Sequence, residues 1–83
     1  MTLDPRDAAA IGRRIRSFRE GHDLTQVELA KRCYVTQSAV SRWESGAKIP
    51  ARRTQRLLAD VLHTTRGVLF REAVVAEDAE VAA

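Results

Sequence analysis

The chain has 83 residues, 45% of them apolar, with 14 Lys and Arg against 11 Asp and Glu, which limits it to one domain with a small, economical core. Its single cysteine excludes an intrachain disulfide, and the lack of a secretory apolar segment or of an apolar run of about 18 residues leads us to expect a soluble, cytoplasmic protein with no membrane contact. All 14 basic residues lie within residues 1–71 beside seven acids, a net of +7, whereas residues 72–83 hold four acids and no base, a net of −4; a basic body of this kind favours polyanions through counterion release.

In chain order, Asp4 and Pro5 read as the N-cap and first residue of a helix, and Asp7 adds negative charge to its first turn. Ala8, Ile11, Ile15 and Phe18 recur at spacings of three and four and form its buried stripe, with Arg13, Arg14, Arg16 and Glu20 on the other sides. Gly21 is expected to close this helix in the left-handed conformation.

Thr25 followed by Glu28 has the spacing of a capping box, so a second helix should begin at Gln26 and run about two turns, with Leu29, Ala30 and Cys33 inward. After Tyr34 and Val35, Thr36 is the N-cap of a third helix. Val40 and Trp43 face inward from it and Gly46 stops it. Its outward residues are Gln37, Ser38, Ser41 and Arg42. Gln pairs bidentately with adenine, Arg with guanine, and Ser with either, so this face suits the edges of bases in the major groove.

Pro50 holds Ile49 extended at the end of a loop from Gly46, and a fourth helix is expected from about Ala51 to Leu62. Leu58, Ala59 and Leu62 should face inward, and Arg52, Arg53 and Arg56 outward. Residues 65–70 read as a short fifth helix capped by Thr64 or Thr65, anchored by Leu69 and Phe70. The acidic, Ala- and Val-rich residues 72–83 either extend that helix, with Val74, Val75 and Val81 packing on a second copy, or are disordered; both readings stay open. The domain reading is thus residues 1–71 as a folded unit and 72–83 as a tail.

The stretches TQVELAKR and VTQSAVSRWESG followed by Pro50, with IGRRIRSFRE before them and LADVLHTTRGVLF after, resemble the Cro and phage-repressor (XRE) type of helix-turn-helix domain from about Ala10 to Phe70. That resemblance implies an all-α, compact bundle of five short helices of lambda-repressor-like type, in which the second helix braces on the DNA backbone and the third lies in the major groove. Carried over by position, it implies base contacts from Gln37, Ser38 and Arg42, and backbone contacts from Gln26, Thr36, Ser41, Lys48 and Arg13. It also implies a structural ion pair between Arg19 and Glu44, and a contact between copies through Val68, Leu69 and Phe70.

Two positions depart from the family pattern. Gly is usual where Tyr34 stands, so Tyr34 is expected either to accept a strained backbone or to reshape the turn. Thr54 and Gln55 replace apolar residues, which leads us to expect a loosely packed first turn in the fourth helix.

No catalytic constellation is present: His22 and His63 lack metal-ligand spacing with Cys33, and there is no Gly-rich phosphate loop or paired-carboxylate signature. We therefore expect no enzyme activity, no metal and no cofactor, with Cys33 a core residue. The expected function is a transcriptional regulator, a repressor that binds a palindromic operator as a homodimer in the nucleoid. The same pattern also occurs in antitoxins, where the acidic tail would be a candidate contact for a protein partner, and in restriction-modification controller proteins. A module that binds protein instead of DNA is the alternative from another class.

Overall fold

The computed structural model describes residues 5–70, which form five helices: α1 (Pro5–Gly21), α2 (Gln26–Arg32), α3 (Gln37–Ser45), α4 (Arg52–Val61) and α5 (Arg66–Leu69). The expected N-cap at Asp4 and all expectations for residues 72–83 lie outside the described residues. The all-helical bundle is the architecture that the sequence implies. Its helix starts follow directly from side-chain chemistry. Thr25 accepts a hydrogen bond from the Glu28 amide while the Glu28 carboxylate accepts from the Thr25 amide at 2.9 Å, so the capping box is complete. These bonds to Thr25 hold the Glu28 carboxyl below its ordinary value. Thr36 caps α3 through the Ala39 amide, and Thr65 caps α5 through the Val68 amide.

The first four helices end in one shared way. After α1 the Asp23 amide donates to Glu20 and the Leu24 amide to Arg19; after α2 the Tyr34 amide donates to Lys31 and the Val35 amide to Ala30. The ends of α3, at Gly46 and Ala47, and of α4, at His63 and Thr64, repeat the pattern. Each is a Schellman turn, which needs one left-handed residue to fold the chain back over the last carbonyls. Those residues are Asp23 (φ 56°), Tyr34 (φ 57°), Gly46 (φ 81°) and His63 (φ 53°). The left-handed residue expected at Gly21 is therefore Asp23 instead. The helix runs through Gly21, and the bonds from Asp23 and Leu24 set the turn two residues later.

The core is built from one face of each helix: Ile11 and Ile15 of α1, Leu29 and Ala30 of α2, Val40 and Trp43 of α3, Leu58 and Ala59 of α4 and Leu69 of α5, joined by Leu24, Cys33, Leu62 and Phe70. Phe18 is half-buried against it. Burying each large side chain here contributes about 1.5–3 kcal/mol. Burial also pushes the Cys33 thiol up to about 11, in keeping with a small apolar core residue.

α1 lies directly on α3, and Gly12 sets how closely. A Cβ at Gly12 would stand 2.4 Å from the Trp43 carbonyl oxygen and 2.6 Å from that of Glu44. At the same interface the Arg19 guanidinium meets the Glu44 carboxylate through two bonds, of 2.6 and 3.0 Å, and donates a third, of 2.7 Å, to the Leu24 carbonyl. The side chains are only 11% and 5% exposed, so removing either partner strands a desolvated charge, at about 3–5 kcal/mol. The bond to Glu44 raises the Arg19 pKa above its ordinary value. Farther along the bundle, His22 Nε2 lies 2.8 Å from the Leu62 carbonyl, to which it donates, tying the α1–α2 turn to the end of α4.

Three expectations are corrected. The first turn of α4 is not loose: Gln55 is buried, donates to the Pro50 carbonyl at 3.0 Å and accepts from Arg66 Nε at 2.8 Å, so a polar side chain with both ends bonded fills the place of an apolar one. Arg14 is half-buried and donates to the Leu69 carbonyl at 3.4 Å, fastening α5 to α1. Leu69, the last residue of α5, and Phe70, which caps it, are both fully buried in the core. Of the three residues expected at a contact between copies, only Val68 presents surface, with 40% exposure.

Candidate nucleic-acid interface

The alternation of buried and exposed positions along α3 produces the site. Val40 and Trp43 anchor the helix in the core, and the helical repeat then turns Gln37, Ser38, Ser41 and Arg42 outward together. These four exposed side chains line one shallow, open concavity. Beyond it, the loop after Gly46 folds back, with the Ala47 and Lys48 amides donating to the Arg42 carbonyl at 2.9 and 3.3 Å. That leaves the Lys48 side chain exposed beside Arg42, on the wall of a groove that α3 shares with Pro50, Ala51 and Thr54.

The side chain at the head of α3 is not simply solvated. Glu44, held by Arg19, accepts at Oε1 from Gln26 Nε2 at 3.0 Å, and Gln26 Oε1 accepts from Gln37 Nε2 at 3.4 Å. The chain of bonds runs from α1 through α3 and α2 to the first residue of α3. It leaves the exposed Gln37 amide with one Nε2 proton and its Oε1 for a further partner, one donor and one acceptor in the plane of a single amide. Adenine presents the complementary pair in the major groove, N7 to accept and N6 to donate.

Each residue singled out in the sequence can now be placed. Gln37, Ser38, Ser41 and Arg42 share the α3 face. Thr36 is exposed at its N-terminal edge; its oxygen caps the Ala39 amide, and its hydroxyl proton remains to be donated. Lys48 flanks the C-terminal edge, and Arg13 is exposed on α1. Gln26 is half-buried at the start of α2, with its side-chain amide bonded to Glu44 and Gln37. Sequence reasoning missed that linkage, since no spacing rule connects residues 26, 37 and 44 across three helices. Among the described residues no three His, Cys, Asp or Glu side chains converge to hold a metal ion, and no helix is long and apolar enough to cross a membrane.

Comparison with known proteins agrees with this geometry. A 52-residue stretch is 33% identical to the HTH-type transcriptional activator BcrR of Enterococcus faecalis, covering 63% of this chain and 26% of that protein. The chain thus spans about a quarter of that relative's length. The fold is similar to two crystal structures of the clp gene regulator ClgR of Corynebacterium glutamicum, with TM-scores of 0.73 and 0.71 at 25% identity, covering 92% of this chain and 81% and 95% of those chains. The family model described as a helix-turn-helix domain matches residues 10–73, which takes in α2, the turn at Tyr34 and α3 together with their supporting helices: the chain belongs to the helix-turn-helix domain family.

Proposed function

We propose that the protein is a sequence-specific double-stranded DNA-binding regulator of transcription, in which α3 lies in the major groove and Gln37, Ser38 and Arg42 read base edges. The observation that carries this reading is the shared outward face of α3, where an Arg, a Gln bonded to Gln26 and two Ser stand together with Lys48 at the C-terminal edge. An anchored helix of this kind matches the width of the major groove, and its side chains match the donors and acceptors there. Thr36, Ser41, Lys48 and Arg13 take the role of backbone contacts, which position the protein without reading sequence.

One short helix spans only about four base pairs, too few to single out a site in a genome. We therefore assign a homodimer on an inverted repeat, with half-site centres about 10 bp apart or a multiple of that, and Val68 is the exposed apolar residue of α5 available to such a pairing. Repression is the proposed sign, because it needs nothing more than occupancy of the operator.

The test is a titration of selected and unrelated duplexes at several salt concentrations. Arg42→Ala should lose about 1–3 kcal/mol on the selected site and relax preference at one base. Lys48→Ala should weaken both duplexes alike and lower the slope of log K against log salt by about 0.9. Arg42→Ala binding the selected site as tightly as wild type would remove Arg42 from its reading role.

A further inference from the structure

Of the four residues that turn the chain back after α1 to α4, three take the left-handed conformation with little difficulty. Gly46 has no Cβ, and Asp23 and His63 belong to the residue types most often found there. The His63 ring has, besides, a neighbour in His22, with centroids 5.3 Å apart. Tyr34 has neither advantage. At φ 57° a bulky side chain bears a steric penalty, and with 88% of its surface exposed the residue returns nothing to the core. A strained residue held by its surroundings and turned to solvent points to a role outside folding.

Its position says which role. Tyr34 follows the exposed cations Lys31 and Arg32 and precedes Thr36 and Gln37 at the head of α3. Three residues of chain separate the Tyr34 and Gln37 Cα atoms by at most about 11 Å, and the major groove is about 12 Å across. With Gln37 over the bases, Tyr34 stands no farther from them than the width of the groove, close enough for its side chain to meet a bordering phosphate. An exposed phenol among lysine and arginine suits a polyanion: its hydroxyl donates to a phosphate oxygen while the ring rests on the neighbouring sugar.

We infer that Tyr34 is a DNA-backbone contact, its hydroxyl donating to a phosphate beside the bases that Gln37 faces. The inference rests on the reading of α3 proposed above. It is tested with the full chain, as wild type, Tyr34→Phe, Tyr34→Gly and Arg42→Ala, by anisotropy titration on a selected duplex and an unrelated one, with thermal melting of each protein. Tyr34→Phe should bind both duplexes about tenfold more weakly, at an unchanged salt slope, since no cation is lost. Tyr34→Gly should bind at least as weakly yet melt at a higher temperature, because the strain is gone. Either variant binding like wild type would overturn the inference and hand the phenol to a protein partner; a lower melting temperature for Tyr34→Gly would overturn it by making the ring structural. If wild type itself bound no duplex, the reading of α3 would fall and this contact with it, whereas wild type and Arg42→Ala behaving as expected beside unaffected Tyr34 variants would remove this contact alone.

Discussion

At the scale of single residues, two glycines of the same helix have opposite meanings. Gly12 lies where α1 presses on the Trp43 and Glu44 carbonyls, and a Cβ there would come within 2.4 Å of backbone that cannot rotate away. Gly21 has nothing within 4 Å of the same added atom. Gly12→Ala should therefore lower stability by about 3 kcal/mol, by forcing α1 off α3, whereas Gly21→Ala should raise it by about 0.5 kcal/mol through the lost freedom of the unfolded chain. Urea unfolding of the two variants checks this, and equal midpoints would contradict the close approach of α1 to α3. Because Arg19 and Glu44 bond across that same interface, Gly12→Ala should also loosen Gln26 and Gln37, and so weaken binding to a selected duplex.

At the scale of elements, α2 is too short to persist alone and depends on its ends. Thr25→Ala removes the hydroxyl that accepts from the Glu28 amide and leaves the bond from the residue-25 amide to the Glu28 carboxylate, and should cost about 1 kcal/mol in thermal or urea unfolding; an unchanged midpoint would mean that the hydroxyl cap does not hold α2. The Glu28 carboxyl, depressed by its bonds to Thr25, adds stability that is present above its ordinary value of 4.5 and is lost as pH falls through the lowered one. Acid unfolding of Glu28→Gln should accordingly lack this contribution, whereas Thr25→Ala, which keeps the backbone amide bond, should retain most of it.

These elements also show what the sequence made legible. The starts of α2, α3 and α5 were readable because a threonine hydroxyl marks each, and the α3 face because Val40 and Trp43 fix its rotation. The turn after α1 was misplaced because Gly21 invites the left-handed conformation, while the bonds that demand it fall at Asp23. Gln55 was misjudged because its partners, Pro50 and Arg66, come from the loop before α4 and from another helix. Leu69 and Phe70 read both as anchors of the fifth helix and, by resemblance, as contacts between copies, and only the three-dimensional course of the chain directs both inward. The tie from Glu44 through Gln26 to Gln37 had no signature at all, since it depends on where three helices meet.

At the scale of the whole molecule, a scaffold of interlocked helices presents one face of α3, with Lys48 beside it. α1 and α3 are locked at Gly12 and by the Arg19–Glu44 pair, α5 is fastened to α1 by Arg14, and α4 is held to the α1–α2 turn by His22. None of these ties uses the outer side of α3, so that side is free to meet a ligand while its backbone stays fixed, which is the arrangement that precise readout requires. The net charge of +7 over residues 1–71 should make binding fall steeply with salt.

Selection of bound duplexes from a random pool tests this most directly. The reading of α3 predicts enrichment of a two-fold symmetric motif whose half-sites are centred about 10 bp apart or a multiple of it, with the enriched base preferences weakened in a parallel selection by Arg42→Ala. A folded wild-type protein that enriches no motif at low salt, or one whose motif Arg42→Ala reproduces unchanged, would contradict it.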